Sequence, residues 1–390
     1  MSYEIGNATS YMDLLDRLNT FLRKGHTLPP VYAGAGTGQI TGLIGTASSV
    51  QEAITVTLTS ASSFTVAGSV TGAMGSGTVG TLFTHARCAF TVVAGGTAWA
   101  NGDTITFVMT PAWAALRSVA GSEYIWQAPG NSNQDQIIVG AKAFTDPTGG
   151  YYNWRLLGAT GFDAGQGFTT QPGNCSRPVL PLWNSSIPYW FIADGRCVKI
   201  IAKITTVFEH AFLGFPDTYG SPGEYPYPLI VGGSMSWATE PVVTSQNWKY
   251  SYVGNGHQAY WCPYPAMIIY LNNDYTKSSF RLRLPNGFWT AFSCADVSGS
   301  AYPLEPVVYP YDDGGLNVQP CLDGSVILHP IWFADLNNIP NVYGEFPGIK
   351  AVSGVGRGAE DTVTIGHDTY LVAQNIAQTT TRSYAAFLLA

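Results

Sequence analysis

The clearest periodic pattern in the chain is that of an amphipathic helix close to the N-terminus. In residues 10–24, apolar side chains recur at the i, i+3, i+4 and i+7 spacing that places them on one helix face. Ser10 fits the N-cap position, and Gly25 fits the stop after the last turn. We predict that this face either packs on its own domain or docks on a neighbouring subunit. The residues that would make this contact are Tyr11, Leu14, Leu18 and Leu22.

Residues 39–110 show a second pattern, in which apolar and polar positions alternate over short segments. The alternation predicts strands over residues 53–58, 63–66, 78–83, 88–93 and 104–109, separated by Gly and Ser clusters. Thr and Ser occupy the outward positions, where charged residues are usual. This pattern is typical of a small β-sandwich or barrel. A Pro/Gly-rich connector precedes it and an aromatic segment follows it, which indicates a module inserted at a loop.

Residues 112–390 return to an ordinary β pattern that is rich in aromatic residues. Two short helical turns are predicted within 206–215 and near 332–338, and Asp194-Gly195 is the best hairpin signal. The predicted strands cover residues 135–143, 151–157, 190–193, 197–208, 267–271, 279–284, 326–333, 362–365, 367–374 and 382–388.

The predicted fold class is mainly β, with an N-terminal helix, an inserted small β-sandwich or barrel module, and a larger β-rich C-terminal domain. The predicted domains are 1–38 (helix and connector), 39–111 (inserted module) and 112–390 (main structural domain). No run reaches the ~18 apolar residues of a transmembrane helix. The N-terminal residues also lack the basic and apolar regions of a signal peptide. We therefore expect a soluble protein made in the cytoplasm, without membrane insertion.

Charge is scarce along the whole chain. Charged residues make up 11% of it, against a usual share of about 25%. The 18 Lys and Arg against 25 Asp and Glu exclude nucleic-acid binding through a basic field. In residues 39–110 the only charged residues are Glu52, Arg87 and Asp103. Such a surface would favour association of a free monomer, so we expect copies of the chain or neighbouring subunits to cover much of it.

Motifs for metal, cofactor or nucleophile chemistry are missing. The six histidines include no pair at i, i+3 or i, i+4, HExxH is absent, and no two cysteines form a CxxC pair. The Gly-rich strip 34–45 contains neither GxGxxG nor GxxxxGK(S/T), and the GxSxG nucleophile elbow is absent. We expect no cofactor, no metal and buried free thiols, with room for one or two disulfides.

Paired carboxylates are the more serious enzymatic option, because glycosidases use two acids. The candidates lie in loop-like, aromatic-rich segments, but no spacing pairs any two of them, and we predict no enzymatic activity. The candidate acids are Glu209, Asp217, Glu224, Asp312 and Asp313.

Tyr and Trp are concentrated in residues 219–264, among prolines that stiffen the same loops. Such rings fill a core, a subunit interface or a sugar site equally well. The members that we predict as interface or ligand residues are Tyr219, Tyr225, Tyr227, Trp237, Trp248, Tyr252 and Trp261.

Several segments resemble virion structural proteins of tailed bacteriophages. They are 191–215, which begins Phe-Ile-Ala-Asp-Gly-Arg-Cys-Val, then 225–234, 351–366 and 382–389. Residues 39–110 look like the Gly/Ser/Thr-rich β domains of phage tail and capsid-surface proteins. The resemblance implies a non-enzymatic, multi-copy component of the virion tail, baseplate or collar, with copies of itself and other virion proteins as partners. A module that binds a receptor or a host surface glycan is the alternative, followed by a polysaccharide depolymerase.

Overall fold

The chain folds mainly as β-sheet. The computed structural model describes residues 1–131, 135–146, 150–176, 178–236, 259–261, 268–272, 279–289, 293–294, 311–312, 315–316, 326–335, 341–376 and 384–389. Within these residues, strands dominate and α-helix is confined to one segment near the N-terminus. The predicted fold class is confirmed.

The N-terminal segment contributes to the main domain through two elements. They are strand β1 (Ser2–Ala8) and helix α1 (Tyr11–Leu22). The Ser10 hydroxyl accepts a hydrogen bond from the Asp13 N–H at 3.1 Å, which confirms the predicted N-cap. The sequence did not indicate β1, which pairs antiparallel with residues 187–193.

The inserted module follows the helix and has a core of its own. Its strands are β2 (His26–Thr27), β3 (Val31–Ala33), β4 (Gln39–Gly45), β5 (Glu52–Leu58), β6 (Ser63–Gly68), β7 (Gly72–Thr78), β8 (Leu82–Thr84), β9 (Cys88–Val93) and β10 (Thr104–Thr110).

Two sheets enclose the module's apolar core. One has the order β2-β10-β5-β6-β7, with β3 also on β10, and the other has the order β4-β9-β8. The core contains Phe64, Phe90 and Phe107, whose rings lie about 6 Å apart. The first sheet begins at His26, inside the segment predicted as a connector. The single strand predicted over 78–83 is instead the end of β7 and most of β8, separated by a turn at 79–81 where Gly80 adopts a φ of +83°.

The rest of the main domain follows the module. Its first strands are β11 (Ala114–Val119), β12 (Glu123–Ala128), β13 (Ile137–Asp146), β14 (Tyr151–Ala159), β15 (Pro178–Leu180), β16 (Ile187–Ala193), β17 (Cys197–Ile204), β18 (Val207–Gly214), β19 (Asp217–Thr218), β20 (Ile230–Gly233) and β21 (Met235–Ser236), with a 3-10 turn at Phe168–Thr170. The later strands are β22 (Ile268–Asn272), β23 (Ser279–Leu282), β24 (Ser293–Cys294), β25 (Tyr311–Asp312), β26 (Gly315–Leu316), β27 (His329–Asp335), β28 (Asn341–Ala351), β29 (Thr362–Ile365), β30 (Asp368–Gln374) and β31 (Tyr384–Leu388).

The sheet β1-β16-β17-β18-β20-β23 is the middle layer of the main domain. One of its faces packs against α1 and the sheet β11-β12-β13-β14-β15-β21. The other face packs against β27, β28, β30 and β31. The middle layer is therefore buried on both sides, as its near-continuous apolar strands require.

This double burial explains one wrong prediction, and a second wrong prediction lies in another sheet. Residues 206–215 were expected to hold a short helical turn, but β18 is a strand whose side chains are buried throughout. A strand with two buried faces loses its alternation and cannot be distinguished from a buried helical segment by periodicity. The described part of 332–338 belongs to strand β27. The hairpin at Asp194-Gly195 is confirmed, since Ala193 pairs with Val198.

Helix α1 packs on its own domain, and the alternative of docking on a neighbouring subunit is not supported. Leu14, Leu18 and Leu22 are fully buried in the core that α1 shares with the two sheets. Tyr11 is also buried, and its hydroxyl lies 2.7 Å from the Thr145 hydroxyl. Because these side chains are inaccessible in the folded chain, the interface role predicted for all four is corrected to a core role.

Glu52 and Asp103 are both buried and serve the backbone of the module. The Glu52 carboxylate accepts hydrogen bonds from the N–H groups of Val70 and Thr71 at 3.2 and 2.9 Å. Asp103 accepts hydrogen bonds from the N–H groups of Ala100, Ala35 and Gly36, which lower the pKa of its carboxyl. These N–H groups lie in irregular loops, and the two carboxylates accept the hydrogen bonds that backbone carbonyls accept in regular strands.

We expect Glu52→Ala to lower the free energy of unfolding by about 1–3 kcal/mol, because it leaves partly buried N–H groups without their acceptor. Glu52→Gln keeps one acceptor oxygen and should cost less than half as much. Urea unfolding of both variants tests this. Equal effects of the two substitutions would contradict the assigned role.

The β17–β18 hairpin contains a strained residue. Ile204 pairs with Val207, and Thr205 in the two-residue turn has a φ of +56°, which is unfavourable for a β-branched side chain. We expect Thr205→Gly to raise the free energy of unfolding by about 1 kcal/mol. Thr206→Gly, at the neighbouring position without a positive φ, should lower it. Thermal unfolding of the two variants shows whether their effects have opposite signs.

Within the described residues, no helix is long and apolar enough to cross a bilayer. Cys88 and Cys197 are buried free thiols, and burial raises the pKa of Cys88 to about 12. The predicted buried thiols are confirmed for these two residues.

Candidate functional site

An open cleft of about 590 Å³ lies where three loops of the main domain meet. Its walls come from the segment before β13, the turn before β17 and the proline-rich segment 215–228. Its lining residues are Asn131, Asp135, Arg196, Phe215, Asp217, Thr218, Gly220, Pro222, Tyr225, Pro226 and Pro228. Charged side chains thus converge in a chain that has few of them.

Two glycines let the first two loops approach each other. The Gly130 N–H donates a hydrogen bond to the Gly195 carbonyl at 2.7 Å. A Cβ on Gly195 would lie 2.3 Å from the Gly130 carbonyl oxygen, and a Cβ on Gly130 would lie 2.1 Å from Asp135 Oδ2. Gly130 also has a φ of +73°. Glycine is therefore required at both positions, and it brings Asp135 to the same cleft as Arg196.

Arg196 is fixed at the cleft by the hairpin that carries it. The Asp194 Oδ1 accepts hydrogen bonds from the Arg196 and Cys197 N–H groups at 2.7 and 2.9 Å. The Arg196 guanidinium donates to the Pro216 carbonyl at 2.7 Å and lies 3.3 Å from Asp217 Oδ1. Desolvation by the cleft walls raises the pKa of the Asp217 carboxyl, although 51% of its side chain is exposed and Arg196 opposes the shift.

The proline-rich segment is held in place by hydrogen bonds as well as by its prolines. Glu224 accepts hydrogen bonds from the N–H and hydroxyl of Ser221, which lower the pKa of its carboxyl. The Tyr225 hydroxyl donates to the Arg283 carbonyl at 2.5 Å, and the Tyr227 hydroxyl donates to the Ala159 carbonyl at 2.9 Å. The third wall of the cleft is therefore ordered.

The predicted aromatic residues divide into three groups. Tyr219 is 58% exposed and lies between the lining residues Thr218 and Gly220. Tyr225 lines the cleft from a buried position, while Tyr227 is half-buried. Trp261 is fully buried in the core, which does not fit an interface or ligand role. The remaining three, Trp237, Trp248 and Tyr252, lie outside the described residues.

The candidate acids that the structure describes lie in different local settings. Asp217 lines the cleft, whereas Glu224 caps its own loop and Glu209 is fully buried in β18. Asp312 pairs with Gly315 in a tight hairpin, and Asp313 lies outside the described residues. In the parts of the chain that the structure describes, no cluster of three His, Cys, Asp or Glu side chains could hold a metal ion.

The sequence did not single out Asp135 or Arg196. Asp135 was assigned to the start of a strand, and Arg196 to a hairpin. The only hint in the sequence was that charged residues are scarce in this chain, so that each one in a loop is a candidate for a site.

Comparison with protein-family models and with curated proteins finds no match. Among solved structures, FlgL of Xanthomonas campestris is similar over 24% of this chain and 33% of the FlgL chain, with 20% identity and a TM-score of 0.19. The chain thus matches only a third of FlgL, and a similarity at this level carries no argument about fold or function.

Proposed function

We propose that this chain is a non-enzymatic structural subunit of a tailed-phage virion, present in multiple copies in the tail, baseplate or collar. Two arguments support the proposal. The first is the resemblance of residues 191–215 and of the C-terminal segments to virion structural proteins. The second is a property of the inserted module, which carries almost no charge on its surface.

The proposal rests mainly on the near absence of charged side chains from the surface of the module. Of the three charged residues in 39–110, Glu52 and Asp103 are buried and bind backbone N–H groups. Arg87 is the one that remains at the surface, where its guanidinium donates to the Ser48 carbonyl. Charged surfaces keep proteins apart, so a surface this poor in charge favours permanent association.

Exposed apolar side chains of the module also support the proposal that its surface is covered by other subunits. Val31 and Val70 are 68% and 69% exposed, and Leu82 is also exposed. Scattered apolar residues are ordinary on a charged surface, but here almost no charge surrounds them. Contact with copies of the chain or with other virion proteins would cover them.

The positions of the candidate acids favour a subunit without catalytic activity. Glu224 is a loop cap, and Asp217 faces Arg196. Local structure thus accounts for Glu224, and the charged partner of Asp217 is an arginine and not a second acid.

Quantitative mass spectrometry of purified phage particles that encode this chain tests the proposal. We expect many copies per particle, at a fixed ratio to the known tail proteins. Detection in lysates of infected cells but not in purified particles would overturn it.

A further inference from the structure

The cleft defined above has the size of a small-molecule site. Its volume of about 590 Å³ lies within the range of about 300–1,000 Å³ that is usual for ligand pockets. It is open to solvent and its walls are fixed by the glycine contact and the capped proline-rich segment. A ligand would therefore meet a preformed surface.

Hydrogen-bond acceptors in the cleft are available for a ligand. The Asp135 carboxylate makes no hydrogen bond or ion pair with another described residue. Asp217 uses Oδ1 for Arg196, which leaves Oδ2 without a partner among the described residues. The Oδ1 of Asn131 is buried and also has no partner there. Buried polar atoms are normally satisfied, and Asn131 Oδ1 is not. Together with the solvent-accessible carboxylates of Asp135 and Asp217, it offers acceptors to a ligand that donates hydrogen bonds.

The charges in the cleft define the class of ligand. Arg196 lies against Asp217, so a cationic ligand would approach a guanidinium and an anionic ligand would approach two carboxylates. A hydroxyl group both donates and accepts a hydrogen bond, and it can therefore satisfy the aspartates and the arginine in turn. A neutral, polyhydroxylated ligand fits this set best.

The apolar wall fits the other face of such a ligand. Phe215, Tyr225, Pro222 and Pro226 line the cleft beside the charged groups. Rigid aromatic and proline surfaces can pack against the C–H face of a sugar ring and lose little conformational entropy in doing so.

From this arrangement we propose that the cleft binds a neutral saccharide, whose hydroxyls donate to Asp135 and Asp217 and accept from Arg196. The inference concerns a ligand of the folded chain and does not depend on the chain being a virion subunit.

Saturation-transfer NMR on the full-length protein tests this site. The neutral probes are glucose, galactose, rhamnose and N-acetylglucosamine, and the charged probes are glucosamine and N-acetylneuraminic acid. We expect weak binding of at least one neutral probe, stronger than that of either charged probe. Asp135→Ala should weaken it by about tenfold or more, because a hydrogen bond to a charged acceptor is lost.

Asp135→Ala removes no hydrogen bond within the described chain, so its unfolding transition should match that of the unmodified protein. The matched control is Glu360→Gln, which removes a carboxylate that pairs with Lys203 and does not line the cleft. This variant should bind the sugar as before. Three results would each overturn the proposal: no binding of any neutral probe, tighter binding of a charged probe, or unchanged binding in Asp135→Ala.

Discussion

Between pH 6.5 and pH 5 the protein is expected to lose about 3 kcal/mol of its free energy of unfolding through two buried histidines. His26 is fully buried beside Phe21 and Trp113, and burial lowers its pKa to about 3. His210 is fully buried beside Trp261 and Phe387, and burial lowers its pKa to about 4.

The sign of this effect follows from where the protons bind. Above pH 6.5 both rings are neutral in the folded and in the unfolded chain, and they add no pH dependence. Below pH 6.5 the unfolded chain takes up two protons that the folded chain excludes until about pH 4 for His210 and about pH 3 for His26. Stability therefore falls as the pH drops, and below about pH 6 the slope approaches about 2.7 kcal/mol per pH unit.

Urea unfolding at a series of pH values measures the slope, and His26→Phe should reduce it by about 1.4 kcal/mol per pH unit. The control is Phe64→Leu in the module core, which should lower stability by the same amount at every pH. A free energy that stays level between pH 7 and pH 5 would contradict the burial of both rings.

The second large effect is expected from the buried face of α1. Leu18→Ala should lower the free energy of unfolding by about 2–5 kcal/mol, because it leaves a cavity between the helix and the two sheets. Met12→Ala is the matched control on the same helix, since Met12 is 45% exposed, and it should change stability by about 0.5 kcal/mol or less.

The same pair of variants distinguishes a core helix from a docking helix. If α1 packs within its own chain, the loss in Leu18→Ala is the same at low and at high protein concentration. A loss that appears only at high concentration would mean that Leu18 contacts a second copy.

The sequence predicted the module better than the main domain. In 39–110 one face of each strand is buried and the other carries Thr or Ser, so the period of two is visible and 88–93 was assigned with its correct ends. In β18 both faces are buried, and the alternation disappears. Strand β1 was missed because Glu4, Gly6 and Asn7 dilute its apolar positions, and its pairing with β16 is a long-range contact that local pattern cannot show.

The sequence predicts one wall of the cleft but not its charged residues. The Tyr and Pro residues of 215–228 were predictable as a group, because they are close together in the chain. Asp135 and Arg196 come from distant segments, which meet through a backbone contact between Gly130 and Gly195. A contact of this kind has no signature in a single sequence.

The inserted module leaves the main domain and returns to it at almost the same point. The Trp113 N–H donates a hydrogen bond to the Leu22 carbonyl at 2.9 Å, and β2 pairs with the end of β10. Its two ends are thus neighbours in space, and its core is separate from the cores of the main domain. A module with adjacent ends can be replaced by a different domain, because any domain whose ends are also adjacent leaves the connections of the main domain unchanged. Related chains could therefore diverge in this outer module while the layered body that carries it stays the same.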